Sequence, residues 1–144
     1  MQSKLDELEA RGVSLTVVIC TGEFPAFNSK RFVFTPQEMI KGVLRSSLRS
    51  GRLGVVYPAG EQVYLAEVEY GYPGVEVVGD WVSPYEGDYE LSGLADRLNE
   101  KKLDLILLNC FGYSGKVKRV INEATGVPTI LSSTLIARVV QELL

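Results

Sequence analysis

The chain has 144 residues, of which 46% are hydrophobic, and a formal net charge of −3. This length fits one domain with a substantial apolar core, and the composition excludes a disordered chain. Basic and acidic residues are interspersed, so no basic stripe indicates a nucleic-acid partner. No apolar run reaches the roughly 20 residues that a membrane span needs. We therefore expect a cytoplasmic protein without a membrane partner.

Histidine is absent from the sequence, and this excludes several kinds of active site. A Ser-His-Asp triad, a Cys-His pair and an HExxH zinc site all need a histidine. The two cysteines, Cys20 and Cys110, are too few for a four-cysteine zinc cage. In a reducing compartment we expect both of them to be free thiols.

Helix and strand patterns alternate from the start of the chain. Residues 3–11 predict a helix, and residues 15–20 (LTVVIC) form an apolar, β-branched run that is typical of a buried strand. A loop is predicted over residues 21–34. The Thr-Pro-Gln-Glu sequence that follows is a typical helix start, with a capping residue and a proline in the first turn. Residues 53–57 (LGVVY) predict the next strand.

The alternation continues to the last residue. Residues 61–70 carry many β-formers, and we choose a helix over a hairpin arm because the segment follows a buried strand. The later predictions are strands over 75–78, 103–109 and 127–131 and helices over 91–98, 117–124 and 134–144. Such alternation predicts an α/β fold of three layers, with a mostly parallel sheet of about five strands and helices on both faces. A flavodoxin-like strand order is expected.

Ligands of open α/β sheets bind beyond the carboxyl ends of the strands. Turns that lead toward helix N-termini offer backbone N–H donors there, and these suit a small carboxylate. The candidate site residues at the predicted strand ends are Cys20, Thr21, Gly22, Tyr57, Pro58, Cys110, Phe111, Gly112, Tyr113, Ser132 and Ser133.

The two cysteines are the sharpest feature of this set. A thiol near a helix N-terminus ionises more easily, and two thiols on opposite sides of a carbon acid can act as base and acid. Backbone donors would stabilise the enediolate-like charge that develops. The alternative is that each cysteine is a small, buried, inert apolar residue.

The other candidates also have structural interpretations. Tyr57 and Tyr113 are either ligand donors or ordinary aromatic residues of the rim. Ser133 is a candidate for ligand binding, but it or Thr134 also suits the capping position of the last helix.

Several segments together resemble AroM family proteins. The most specific is LDLILLNCFGYSGKVKRVINEATGVPTILSSTLIARVVQELL over residues 103–144, and VVICTGEFP and RLGVVYPAGEQ also fit. AroM proteins resemble members of the Asp/Glu racemase superfamily. That superfamily includes two-cysteine racemases and also decarboxylases and isomerases of small carboxylic acids. The resemblance thus implies an Asp/Glu racemase-like fold.

The resemblance also implies roles for individual residues. Cys20 and Cys110 take the places of the two catalytic cysteines, and Tyr57 with Pro58 matches the segment that contacts the substrate carboxylate. No metal and no organic cofactor are implied. The expected function is a cofactor-independent racemase or isomerase that acts on a small carboxylic acid. The alternatives are a carboxylate-binding or regulatory protein without turnover, or a truncated inactive homologue.

The length suggests a particular domain organisation. Compared with the usual family chain, the sequence is expected to lack the N-terminal part of the first lobe. Residues 1–34 would be the remnant of that lobe and residues 35–144 the second lobe, although the two can also form one compact unit. Because the last helix is strongly apolar, we expect a homodimer or a higher homo-oligomer.

Overall fold

The computed structural model describes residues 1–85 and 87–144, with only the backbone described for residues 88 and 89. The helices are α1 (Gln2–Ala10), α2 (Pro36–Ser47), α3 (Leu65–Tyr70), α4 (Asp88–Glu100), α5 (Gly115–Thr125) and α6 (Ser132–Glu142). The strands are β1 (Leu15–Val17), β2 (Phe32–Phe34), β3 (Gly51–Tyr57), β4 (Val75–Trp81), β5 (Leu105–Leu108) and β6 (Thr129–Leu131). A short 3₁₀ helix, Gly60–Gln62, precedes α3.

The central sheet has four parallel strands in the order β4-β3-β5-β6. Counted from β3 along the chain, this is the 2-1-3-4 order of the flavodoxin-like arrangement. The α/β class and the three-layer architecture are thus confirmed. The predicted helix over residues 61–70 is also confirmed, as the 3₁₀ turn followed by α3.

One element differs from the prediction and changes the number of strands in the central sheet. Residues 32–34 (FVF) form β2, whereas they were assigned to a loop, and they pair in parallel with β1 in a separate two-stranded sheet. The predicted first strand therefore lies outside the central sheet, which has four strands rather than about five. The run of three residues was too short to show a periodic pattern.

Side chains of the central strands alternate between two cores, one on each face of the sheet. Val56 and Ile106 pack with α4 and α5, whereas Val55 and Leu107 pack with α2, α3 and α6. Because both faces are covered, the inner strands carry nearly continuous apolar runs. This alternation is what creates the three layers.

The apolar last helix packs partly against the core of the protein itself. In α6, Ile136 is fully buried, and Leu135 and Val140 pack against the same core as α2 and α3. Ser132 at its start is also buried. The core thus covers part of the apolar face that motivated the expectation of a homo-oligomer, whereas Leu143 is exposed. No helix among residues 1–85 and 87–144 is both long and apolar enough to cross a bilayer.

Close packing of the segment before α3 against β4 depends on a glycine. A Cβ atom at Gly79 would lie 2.7 Å from the backbone oxygen of Val63 and 2.7 Å from its Cγ1 atom. A backbone oxygen cannot move away cheaply in a packed interior. The helix α3 can approach the sheet here because residue 79 has no side chain.

We expect Gly79→Ala to lower the free energy of unfolding by about 1–3 kcal/mol, the usual effect of overpacking. Gly42→Ala is the matched control, since Gly42 is exposed in α2 and its Cβ would meet nothing within 4 Å. That variant should gain up to about 1 kcal/mol from helix propensity. Unfolding in urea measures the free energy of unfolding of both variants. An unchanged midpoint for Gly79→Ala would contradict the packing argument.

A buried carboxylate joins β4 to α4. Asp80 is 5% exposed, and its Oδ1 atom accepts hydrogen bonds from Arg97 Nη2 at 2.8 Å and from the backbone N–H of Trp81 at 2.7 Å. Lys101 donates to Oδ2. Burial alone would raise the pKa of Asp80, but these donors outweigh it and hold the pKa below its ordinary value.

A carboxyl group with a lowered pKa in the folded state stabilises the protein above its unfolded-state pKa. This contribution is lost as the pH falls through the folded-state value. We expect Asp80→Asn to unfold more easily at pH 7, by about 1–3 kcal/mol. The difference from wild type should shrink as the pH falls into the acid range.

Asp96→Asn is the control for this prediction, because Asp96 is exposed on the same helix. It should change stability by less than about 0.5 kcal/mol. Thermal unfolding across a pH series measures all three proteins. A constant gap between Asp80→Asn and wild type at every pH would show that the charge is unimportant.

Candidate active site

A cleft of about 500 Å³ lies at the carboxyl edge of the central sheet. Its walls come from the turn after β1, the turn after β3 with α3, the loop after β4 and the loop after β5. Both its place and its size are those of small-molecule sites in α/β proteins. The sequence-predicted residues that line it are Cys20, Thr21, Gly22, Tyr57, Pro58, Cys110, Phe111 and Gly112.

The two cysteines occupy equivalent turns in the cleft. The backbone N–H of Gly22 points at the Sγ atom of Cys20 at 3.5 Å, and that of Gly112 points at the Sγ atom of Cys110 at 3.3 Å. Both thiols are free, with Cys20 exposed and Cys110 half-buried. Each Cys-x-Gly turn therefore orients its sulfur in the same way, through the donor two residues later.

Neither cysteine is the last residue of its strand. β1 ends at Val17 and β5 at Leu108, so each sulfur lies in the loop beyond the strand. After Cys110 the chain enters α5, where the Ser114 side chain caps the helix by accepting from the N–H of Val117. After Cys20 it continues to β2 instead of a helix. A helix N-terminus thus follows only the second cysteine directly.

A hydrogen bond joins the two cysteine loops. The hydroxyl of Thr21 donates to the backbone oxygen of Asn109 at 3.4 Å, so the neighbours of Cys20 and Cys110 meet. The space beside the second sulfur is tight, because a Cβ at Gly112 would lie 3.4 Å from Cys110 Sγ. It would also lie 3.2 Å from the ring of Pro84.

Three of the predicted site residues lie outside the cleft lining. The hydroxyl of Tyr113 is buried between the backbone oxygens of Tyr57 and Val82, at 2.6 and 2.7 Å. Ser132 is fully buried and donates to the backbone oxygen of Leu108 at 2.6 Å. Ser133 is half-buried next to it. Tyr113 and Ser132 thus hold together the strand ends that form the site.

Tyr57 contacts a carboxylate of the protein itself. Its hydroxyl donates to Glu69 Oε2 at 2.7 Å. Burial, together with this carboxylate, raises the pKa of Tyr57 far above its ordinary value, so the hydroxyl keeps its proton. Burial also raises the pKa of Glu69, and the hydrogen bond from Tyr57 opposes part of that shift. The two side chains form a fixed pair in the wall of the cleft.

Sequence reasoning missed several lining residues. Asn109 was assigned to the strand, but it follows β5, and its Oδ1 atom accepts from the hydroxyl of Tyr70 at 2.8 Å. Glu69 and Gln62 lie in the segment whose helical state was predicted without an orientation. The available signal for Asn109 was its position directly before Cys110. For Glu69 and Gln62 the sequence offered no signal, because only tertiary packing decides which residues of their segment line the cleft.

The donor set of the cleft does not suit a metal ion. Within the described parts of the chain, no three acidic or cysteine side chains come together in a way that could hold one. Glu69 is the only charged residue among the described residues that line the cleft. The remaining lining is hydroxyl, amide, thiol and apolar groups.

Comparison with known families identifies the chain. A family model described as AroM protein matches residues 1–144. The chain belongs to the AroM family. No curated protein matches it significantly. The AroM resemblance expected from the segments around the two cysteines is therefore confirmed over the whole sequence.

The geometry of this AroM protein predicts how its thiols react. We expect iodoacetamide to label Cys20 before Cys110, because Cys20 is the more exposed. Since both line one cleft, modification of Cys20 should also slow the labelling of Cys110. Peptide mass spectrometry over a time course measures both rates.

The control for this prediction is Cys20→Ser, in which Cys110 is labelled without a modified neighbour. Cys110 should react faster in this variant than in wild type already labelled at Cys20. Equal rates would indicate that the sulfurs do not share a cleft.

Proposed function

We propose that this AroM protein is a cofactor-independent racemase or isomerase of a small carboxylic acid, with Cys20 and Cys110 as the acid/base pair. One observation carries the proposal: both thiols line a single cleft at the carboxyl edge of the sheet, on matching Cys-x-Gly turns. Two similar groups that approach one ligand from different loops are suited to proton transfer on opposite faces of a carbon.

The proposed reaction moves one proton in each half-step. One sulfur, as the thiolate, takes the α-proton of the bound acid, and the electron pair of the C–H bond delocalises into the carboxylate as an enediolate. The other thiol then gives its proton to the opposite face of the same carbon. The two sulfurs exchange protonation states, and no oxidant, reductant or cofactor is consumed.

Neutral donors would hold the carboxylate in this scheme. Ser83 and Asn109 line the cleft, and none of its described lining residues is a lysine or arginine. Tyr57, which the family resemblance assigns to the substrate carboxylate, donates its hydroxyl to Glu69. In this chain we therefore assign the carboxylate to the side of the cleft that contains the cysteine loops.

The family context supports the same conclusion. The three-layer fold with two cysteines at the sheet edge is consistent with the Asp/Glu racemase superfamily, to which AroM proteins are similar. Free thiols are required by the mechanism and are maintained in a reducing compartment, so we assign the protein to the cytoplasm.

Solvent hydrogen exchange tests the proposal. The protein is incubated in D₂O with α-amino, α-hydroxy and aryl-substituted carboxylic acids, and the α-proton signal is followed by NMR. We expect loss of that signal for at least one acid, together with a fall of at least about a hundredfold in rate for Cys20→Ser and Cys110→Ser, since each removes an acid/base group.

Gly115→Ala is the matched control, because its Cβ would meet nothing within 4 Å and it lies outside the cleft. It should exchange at the wild-type rate. Exchange that persists in both cysteine variants would exclude the two-thiol mechanism. Binding of an acid without any exchange would instead favour the carboxylate-binding alternative.

A further inference from the structure

The segment from Gly60 to Tyr70 contributes hydrogen-bond acceptors to the lining of the cleft. Glu69 accepts the Tyr57 hydroxyl at Oε2, and its Oε1 atom accepts from no residue that the structure describes. Gln62 lines the same cleft, and its Oε1 atom is buried without a partner. The Oε1 atom of Glu69 is therefore available to accept a hydrogen bond from a ligand with N–H groups.

The charge of the cleft favours the same kind of ligand. The charge of Lys41 acts on Glu69 and lowers its pKa, but the Nζ atom of Lys41 is itself paired with Glu23 at 3.4 Å and with Glu38 at 3.2 Å. The described lining contains the carboxylate of Glu69 and no positive side chain. A second carboxylate on the ligand would be repelled by this negative charge, whereas an ammonium group would be attracted.

The rest of the lining is largely apolar. The side chains that form it are Ile19, Pro58, Leu65, Pro84, Tyr85 and Phe111. Such walls suit an uncharged side chain, because burying a charge without a partner is strongly unfavourable. A volume of about 500 Å³ has room for a side chain as large as a phenyl ring.

We propose that the cleft selects α-amino acids with apolar side chains, and that the Glu69 carboxylate binds the ligand's ammonium group. An ammonium has three N–H donors, one of which can bond to the Oε1 atom of Glu69. Tyr57 acts as a positioning residue, since its hydroxyl fixes the Glu69 carboxylate. This inference rests on the proposed function and deepens it, because it concerns the ligand of the same cleft.

Binding of three matched ligands tests the inference without requiring turnover. Phenylalanine has the ammonium and an apolar side chain, 3-phenylpropanoate lacks the ammonium, and glutamate adds a second carboxylate. Isothermal titration calorimetry of the wild-type chain should show phenylalanine binding at least about tenfold more tightly than either of the others, as expected for a charged hydrogen bond. Both enantiomers of the amino acids are titrated.

Glu69→Gln then assigns the preference to a residue. Glutamine keeps an acceptor for the Tyr57 hydroxyl but removes the charge, so the preference for phenylalanine over 3-phenylpropanoate should fall to about threefold or less. Glu67→Gln is the control, because Glu67 is exposed on the same helix and lies outside the cleft lining. It should keep the wild-type preference. Circular dichroism confirms that both variants fold.

Three results would overturn the inference: equal affinity for phenylalanine and 3-phenylpropanoate, tightest binding of glutamate, or no binding of any of the three by the wild-type chain. The comparison of the three ligands on the wild-type chain tests the ammonium preference even if the Glu69→Gln variant does not fold. Ammonium-dependent binding without α-proton exchange would support this inference and oppose the racemase. Exchange of the α-proton of a hydroxy acid, with no preference for ligands that carry an ammonium, would support the racemase and oppose this inference.

Discussion

Burial of the central sheet on both faces is the constraint on which the rest of the structure depends. Because the inner strands β3 and β5 must be covered by helices on each side, the strands run parallel and all their carboxyl ends meet at one edge. The turns that follow them are then held close together by the packed core. The cleft exists because the chain has to leave the sheet at this edge on its way to the covering helices.

Buried polar contacts stabilise that edge. The hydroxyl of Tyr113 lies between the backbone oxygens of Tyr57 and Val82, and Ser132 donates to Leu108. Backbone groups at the ends of strands would otherwise be buried without partners, which is unfavourable. These side chains were candidates for ligand binding, and in the folded protein they support the backbone from which the lining residues project.

Different elements contribute chemically different groups to the cleft. The loops after β1 and β5 contribute the thiols of Cys20 and Cys110, and α3 contributes the carboxylate of Glu69. We propose that this lining orients a ligand that has both a carboxylate and an ammonium. The proposed proton transfer and the proposed ligand class thus follow from the same arrangement of donors, acceptors and charge.

The sequence by itself determined the α/β class and most helices and strands, because these depend on local periodicity. It also determined the family, because the family is recognised from motifs such as those around Cys20 and Cys110. Only the tertiary structure decided that residues 32–34 pair with β1, since a run of three residues forms a strand only through its partner. It also decided that Glu69 and Gln62 are among the residues that line the cleft whereas Tyr113 is not. The physical reason is that the direction of a side chain depends on how its element packs, and packing is set by residues distant in the sequence.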